Sequence, residues 1–149
     1  MPQYASKKGF FIPKNKSKYV GNPDQIIWRS TWELRIMGIL DVNPNVIYWS
    51  SEELVIPYYD PVKGCNRRYF PDFLVKIKTS SGEIKTAILE IKPDYQTNLR
   101  KPPPKRMSRK FISEAMDVAT NHAKWEAATK FAKEQGWEFR VITEKNFSF

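Results

Sequence analysis

The chain's chemistry centres on an aspartate, a glutamate and a lysine. Asp72 stands in Tyr69-Phe70-Pro71-Asp72-Phe73, and Glu90 and Lys92 stand in Leu89-Glu90-Ile91-Lys92-Pro93. Between them, two β-prone runs, Tyr69 to Lys78 and Ile84 to Ile91, flank Ser80-Ser81-Gly82, whose glycine supplies the positive φ of a type I turn with a bulge. That pattern predicts a β-hairpin. With Ser81 at its centre, Thr79 pairs with Glu83, and counting outward sets Leu74 opposite Ile88 and Asp72 opposite Glu90. Because side chains alternate along a strand, Lys92 joins the two acids on one face, while Phe73, Val75, Leu89 and Ile91 take the other.

Like charges directly opposite one another destabilise a hairpin, so the pair calls for a cation, either a divalent metal or Lys92. Mg²⁺, for which Mn²⁺ is a plausible substitute, is typically held by one or two carboxylates and completes its shell with waters and phosphate oxygens. That chemistry suits phosphodiester hydrolysis: the ion polarises the phosphate and activates water, and Lys92 orients that water or offsets developing charge. The plainer alternative is a solvated face of acids and lysines. Against it stand Phe70, Leu74 and Ile88, which share that face and predict a sheet covered on both sides.

The chain has 149 residues, enough for one core without staples, and its lone Cys65 cannot form an internal disulfide. No apolar run approaches a membrane span or a signal peptide, so a soluble intracellular protein is expected. Lys and Arg number 25 against 16 acids, a formal charge of +9, which favours a polyanionic partner such as double-stranded DNA. His122 is the single histidine, which argues against His-based metal nucleases and Cys/His zinc modules, so catalysis is expected to run on carboxylates and lysine.

Residues 1–27 are expected to form a basic N-terminal arm, either a solubilising terminus or a DNA-gripping one, ahead of a single domain over 28–149. Ser30 and Glu33 form a capping box that starts a helix from about Thr31 to Asp41, ended by Asn43-Pro44. Capping alone accounts for Glu33, and Arg29 just before it is a candidate phosphate contact. Val46 to Tyr58 reads as one strand, Asp60 to Asn66 as a turn, and Arg67-Arg68 as a pair able to clamp a phosphate. After Pro93, the segment holding Arg100, Lys101, Lys105, Arg106 and Arg109 reads as a basic loop stiffened by Pro102-Pro103-Pro104, either a linker or a flap over DNA. Helical spacing then runs from Ser108 to Gln135, with Thr120 or Asn121 able to cap a second helix inside it, and Trp137 to Thr143 is a last strand.

The order helix, strand, strand, strand, helix, strand, with Pro71-Asp72 and Glu90-Ile91-Lys92 on the second and third strands, resembles the PD-(D/E)XK nucleases. The resemblance implies an α/β restriction-endonuclease-like core (α-β-β-β-α-β), a mixed sheet sandwiched by helices. Over nearly the whole chain, the segments F-I-P-K-N-K-S-K-Y-V-G, R-S-T-W-E, R-R-Y-F-P-D, E-I-K-P and N-H-A-K-W resemble the head-completion nuclease family of T-even-type tailed phages. This implies a late-assembly endonuclease acting on DNA-filled heads in the host cytoplasm before tail attachment, with portal or neck proteins as partners. By the same resemblance Asp72, Glu90 and Lys92 form the catalytic set and Glu33 is its helix acid. Alternatives from other classes are a non-catalytic basic head-completion protein and a recombination or transposition endonuclease; monomer and dimer both remain open.

Overall fold

A computed structural model describes residues 8–97 and 108–145 of the chain. Arg100, Lys101, Lys105 and Arg106 therefore lie outside the described residues.

Three short elements open the fold: strand β1 (Gly9–Phe10), strand β2 (Ile27–Trp28) and helix α1 (Thr31–Val42). Ser30 caps α1 by accepting the Glu33 N–H at 3.1 Å, and the Glu33 carboxylate reaches back one residue beyond the usual box to the Arg29 N–H at 2.8 Å. Strands β3 (Val46–Ser51), β4 (Ile56–Asp60), β5 (Cys65–Tyr69), β6 (Phe73–Lys78) and β7 (Ile84–Ile91) follow, then helix α2 (Arg109–Gln135) and strand β8 (Glu138–Ile142).

The main sheet runs β3-β6-β7-β8; β8 lies parallel to β7 and the other neighbours are antiparallel, so the sheet is mixed, as expected. Its central hairpin keeps the anticipated register: Leu74 pairs with Ile88, the Thr79 N–H reaches the Glu83 carbonyl at 2.7 Å, and Gly82 adopts φ +85°. On one face Trp32, Ile36, Met37 and Leu40 of α1 pack on Trp49, Phe73, Val75, Leu89, Ile91 and Ile142. On the other, Ala128 and Ala132 of α2 pack on Ile88 together with Ile56, Tyr58 and Tyr69 of the β4–β5 hairpin. Each fully buried Ile, Leu or Met contributes roughly 1.5–3 kcal/mol relative to leaving it in water, so the two faces hold the sheet rigid between helices.

Four expectations change. The run 46–58 is two strands: β3 stays in the main sheet, whereas β4 leaves it to pair with β5. The break falls at Glu52, a residue at φ +56°. Arg67 and Arg68 lie on β5 and not on a loop. Phe70 is 44% exposed, so of the three residues expected to share that face only Leu74 and Ile88 lie under its cover. Finally, α2 is one unbroken helix, capped by Ser108 and closed by Gly136 at φ +77°, because Thr120 and Asn121 spend their side chains on Asp60 and the Gln96 carbonyl instead of capping.

From Lys8 onward, the stretch read as a basic arm packs on the domain. Tyr19 and Ile26 are buried, and the Tyr19 ring meets Trp49 edge to face at 4.8 Å. No helix among the described residues is long and apolar enough to cross a membrane.

Candidate active site

Three adjacent strands end at one margin of the main sheet. Ser51 pairs with Phe73 at the end of β3, and one residue on, the Glu52 N–H donates to the Asp72 carbonyl at 3.2 Å. Asp72 itself precedes β6, while Glu90 sits next to last on β7. Beyond β7, the Lys92 N–H continues the parallel ladder to the Ile142 carbonyl at 3.0 Å. The N-terminal turn of α1 brings Glu33 close enough for its charge to act on Asp72.

Asp72 and Glu90 are knitted across the hairpin end. Asp72 Oδ2 accepts the Ile91 N–H at 2.8 Å, and Glu90 Oε2 accepts the Tyr69 hydroxyl at 2.5 Å and, more weakly, the Asp72 N–H at 3.4 Å. Each acid thus has one oxygen held, and Asp72 Oδ1 and Glu90 Oε1 have no donor among the described residues. Burial pushes the Asp72 carboxyl well above the usual range, and the charges of Glu90 and Glu33 push it further. Burial also raises Glu90, opposed by the Tyr69 hydroxyl, Lys92, the Asp72 N–H and Lys124. Glu33 is raised too, first by burial and against the pull of the Arg29 N–H, with Glu52 adding to the rise.

This donor set suits a divalent cation. Three carboxyls held above their ordinary range mark a site short of positive charge, and two facing carboxylates each offer an uncommitted oxygen. No group of three or more His, Cys, Asp or Glu side chains at ligand spacing exists among the described residues. A bound ion would accordingly take most of its shell from water and phosphate, as Mg²⁺ does.

Of the other anticipated residues, Arg29 is ion-paired with Glu52. Arg67 and Arg68 point to opposite sides of β5, since neighbours on a strand alternate: Arg67 pairs with Asp60 at 3.2 Å, and the Arg68 guanidinium lies 5.7 Å from the centre of the Phe70 ring. They cannot clamp one phosphate together. Arg109 is the exposed first residue of α2. His122 is exposed and its Nε2 lies 2.7 Å from the Thr97 carbonyl, a tie between α2 and the turn that follows Lys92.

Sequence reading missed three neighbours. Tyr69 is buried and orients Glu90. Lys124 of α2 holds its ammonium 5.7 Å from the centre of the Tyr69 ring; burial lowers its pKa, and the negative charge of Glu90 raises it in part. Glu52 bears on both Arg29 and Glu33. Tyr69 carried a readable signal, a polar-tipped aromatic on the same sequence run as Asp72; Lys124 stood in the N-H-A-K-W segment with no role assigned, because its place depends on where α2 crosses the hairpin.

A family model described as TnsA-like endonuclease N terminal matches residues 43–144, a span that contains Asp72, Glu90 and Lys92. The chain is also similar to a protein of Enterobacteria phage T4 described as a head completion nuclease, at 40% identity over 142 residues, covering 91% of this chain and 90% of that protein. No solved structure matches the chain significantly.

Proposed function

The chain belongs to the TnsA-like endonuclease family, and from that premise we propose that it cuts or trims packaged DNA during phage head completion, with Asp72 and Glu90 as metal ligands. The observation that carries the reading is the facing acid pair, each carboxylate with one oxygen held and one uncommitted, at the end of a sheet shielded on both faces. A Mg²⁺ ion, with Mn²⁺ able to replace it, would be held by Asp72 and Glu90 and would supply Lewis-acid polarisation of the scissile phosphate together with a more acidic water.

The protein's own groups divide the remaining work. Lys92 orients the attacking water and offsets charge developing on the phosphate. Tyr69 keeps Glu90 turned toward the site, and Glu33 adds negative charge that tightens the site's grip on a cation. Arg29, Arg67, Arg68, Arg109 and the basic segment with Arg100, Lys101, Lys105 and Arg106 hold backbone phosphates, contacts that are tolerant of sequence and sensitive to salt. Double-stranded DNA is the substrate, with portal or neck proteins as partners in the host cytoplasm. The relative's description as a head completion nuclease favours this reading over a role in transposition.

The test incubates purified protein with supercoiled plasmid, with Mg²⁺ and with chelator. Nicked or linear product in Mg²⁺ alone, lost in Asp72→Ala and Glu90→Ala, supports the assignment. Full cleavage by either variant overturns it.

A further inference from the structure

The β4–β5 hairpin has two faces with different work. Inward, Ile56, Tyr58 and Tyr69 are buried under α2, and Asp60 is buried with its carboxylate paired to Arg67. Outward, the register sets Pro57 opposite Arg68 and Tyr59 opposite Asn66, and Phe70 follows just past the last paired residue, Tyr69. Tyr59 is 58% exposed and Phe70 44% exposed, large fractions for aromatic rings. The Arg68 guanidinium lies 5.7 Å from the centre of the Phe70 ring and braces it while leaving the ring accessible. Phe70 is two residues from Asp72.

Exposed rings interleaved with cations describe a surface for unpaired nucleotides. Bases inside a duplex are stacked on one another and offer no face to a side chain, whereas an unpaired base can lie on an aromatic ring while a cation meets its phosphate. Charge agrees: beyond the Arg67–Asp60 ion pair on the inward side, the hairpin carries Lys63 and Arg68 and no further acid.

We propose that the outward face of the β4–β5 hairpin, through Tyr59, Arg68 and Phe70, binds a single-stranded segment of the substrate and feeds it toward Asp72 and Glu90. The inference rests on the nuclease reading above and adds to its double-stranded substrate a preference for places where a tail, gap, branch or the strand opening of a supercoil leaves nucleotides unpaired.

Binding is measured in chelator, so that no cleavage intervenes, with a fluorescent thymidine oligonucleotide and with a blunt duplex of equal length. The unaltered protein is expected to bind the single strand more tightly. Phe70→Ala and Tyr59→Ala should each weaken single-strand binding by about 5- to 150-fold, the usual effect of losing one stacked base, with a much smaller change for the duplex. Phe70→Trp should restore the affinity. Both aromatic positions are exposed, and equal melting temperatures would confirm that the variants fold. Unchanged affinity in both alanine variants, or an equal loss on single strand and duplex, overturns the inference. Plasmid cleavage by the unaltered protein reads out the nuclease assignment separately, so each can fail without the other.

Discussion

The Tyr69 hydroxyl donates to Glu90 Oε2 at 2.5 Å, so a buried phenol on the satellite hairpin sets the orientation of an acid on the main sheet. Burial and the charge of Glu90 push the Tyr69 pKa far up, which keeps the phenol a donor at any working pH. Tyr69→Phe retains the ring and removes only this bond. Outer partners of metal ligands are typically worth about 10- to 100-fold in metal affinity or activity. The expected result is that much more Mg²⁺ for half-maximal plasmid nicking, with an unchanged fold by circular dichroism. The same Mg²⁺ requirement as the parent would remove Tyr69 from the site.

Asp72 and Glu90 make the metal-free protein's stability depend on pH with a definite sign. Their folded pKa values lie above the ordinary carboxylate range, so folding takes up protons between the unfolded and folded values. Stability is therefore gained as pH falls through the raised values and levels off on reaching the ordinary range. Asp60 works oppositely: burial opposes ionisation, but the Val62 and Lys63 N–H groups and Arg67 outweigh it and hold the carboxyl low, so its contribution is lost only at still lower pH. Asp72→Asn, whose amide oxygen can still accept from Ile91, removes the Asp72 share of the first effect and leaves that of Glu90. In chelator at neutral pH it should melt about 2–4 °C higher than the parent, the shift that ~1 kcal/mol produces in a domain of this size, while losing cleavage. A lower melting temperature would contradict the charge shortage argued for this site.

Lys124 supplies positive charge from outside the strand motif, because α2 lays it against Tyr69 and within electrostatic reach of Glu90 and Lys92. Lys124→Met keeps the stem and removes the ammonium. The expected outcome is a loss of about tenfold in plasmid cleavage rate, against about 100-fold or more for Lys92→Met, whose ammonium belongs to the motif itself. Equal losses, or none at Lys124, would assign the helix lysine to packing alone.

The hairpin from Phe73 to Ile91 was legible because its determinants are local: a Ser-Ser-Gly turn fixes the register, and strict alternation then places the acids. The end of β3 was not. Residues 46–58 are β-prone throughout, and the exit at Glu52 is made by a non-glycine residue at φ +56°, with no glycine or proline before Pro57 to mark it. Misreading that exit also misread Phe70, since only the departure of β4 and β5 into their own pair leaves its ring in water. The same reason hides Lys124: a contact between helix and hairpin is set by tertiary packing, which leaves no periodicity to read.

Glu52 joins a strained backbone to an ion pair, and the two effects can be separated. A left-handed φ costs a non-glycine residue about 1 kcal/mol, whereas a pair as exposed as Arg29–Glu52 returns between 0 and ~1 kcal/mol. Glu52→Gly should thus leave urea stability within about 0.5 kcal/mol of the parent. It also frees the Arg29 guanidinium, so duplex DNA should bind more tightly at low salt and with a steeper salt dependence. Weaker DNA binding would show that Arg29 is held for structure and does not face the substrate.

Asp41 decides whether the lysine-rich N-terminal stretch is a free arm or part of the domain. It is buried at the end of α1, where its carboxylate accepts the Lys14 N–H at 2.8 Å and the Asn15 N–H at 3.0 Å. Its carbonyl also accepts the Asn15 side-chain amide at 2.9 Å and the Lys18 ammonium at 3.1 Å. Asp41→Ala strands two backbone N–H groups, each worth about 1–3 kcal/mol when unsatisfied. The expected loss is about 3 kcal/mol in urea unfolding. Asp41→Asn keeps one good acceptor and turns an amide donor toward the second N–H, so it should fall between. If residues 9–28 are structural, the alanine variant should also expose its lysines to trypsin under conditions where the parent resists, because Tyr19 and Ile26 would leave the core together with the displaced segment. Rapid cutting of the parent at these lysines, or parent-like urea stability in Asp41→Ala, would make the segment an arm after all.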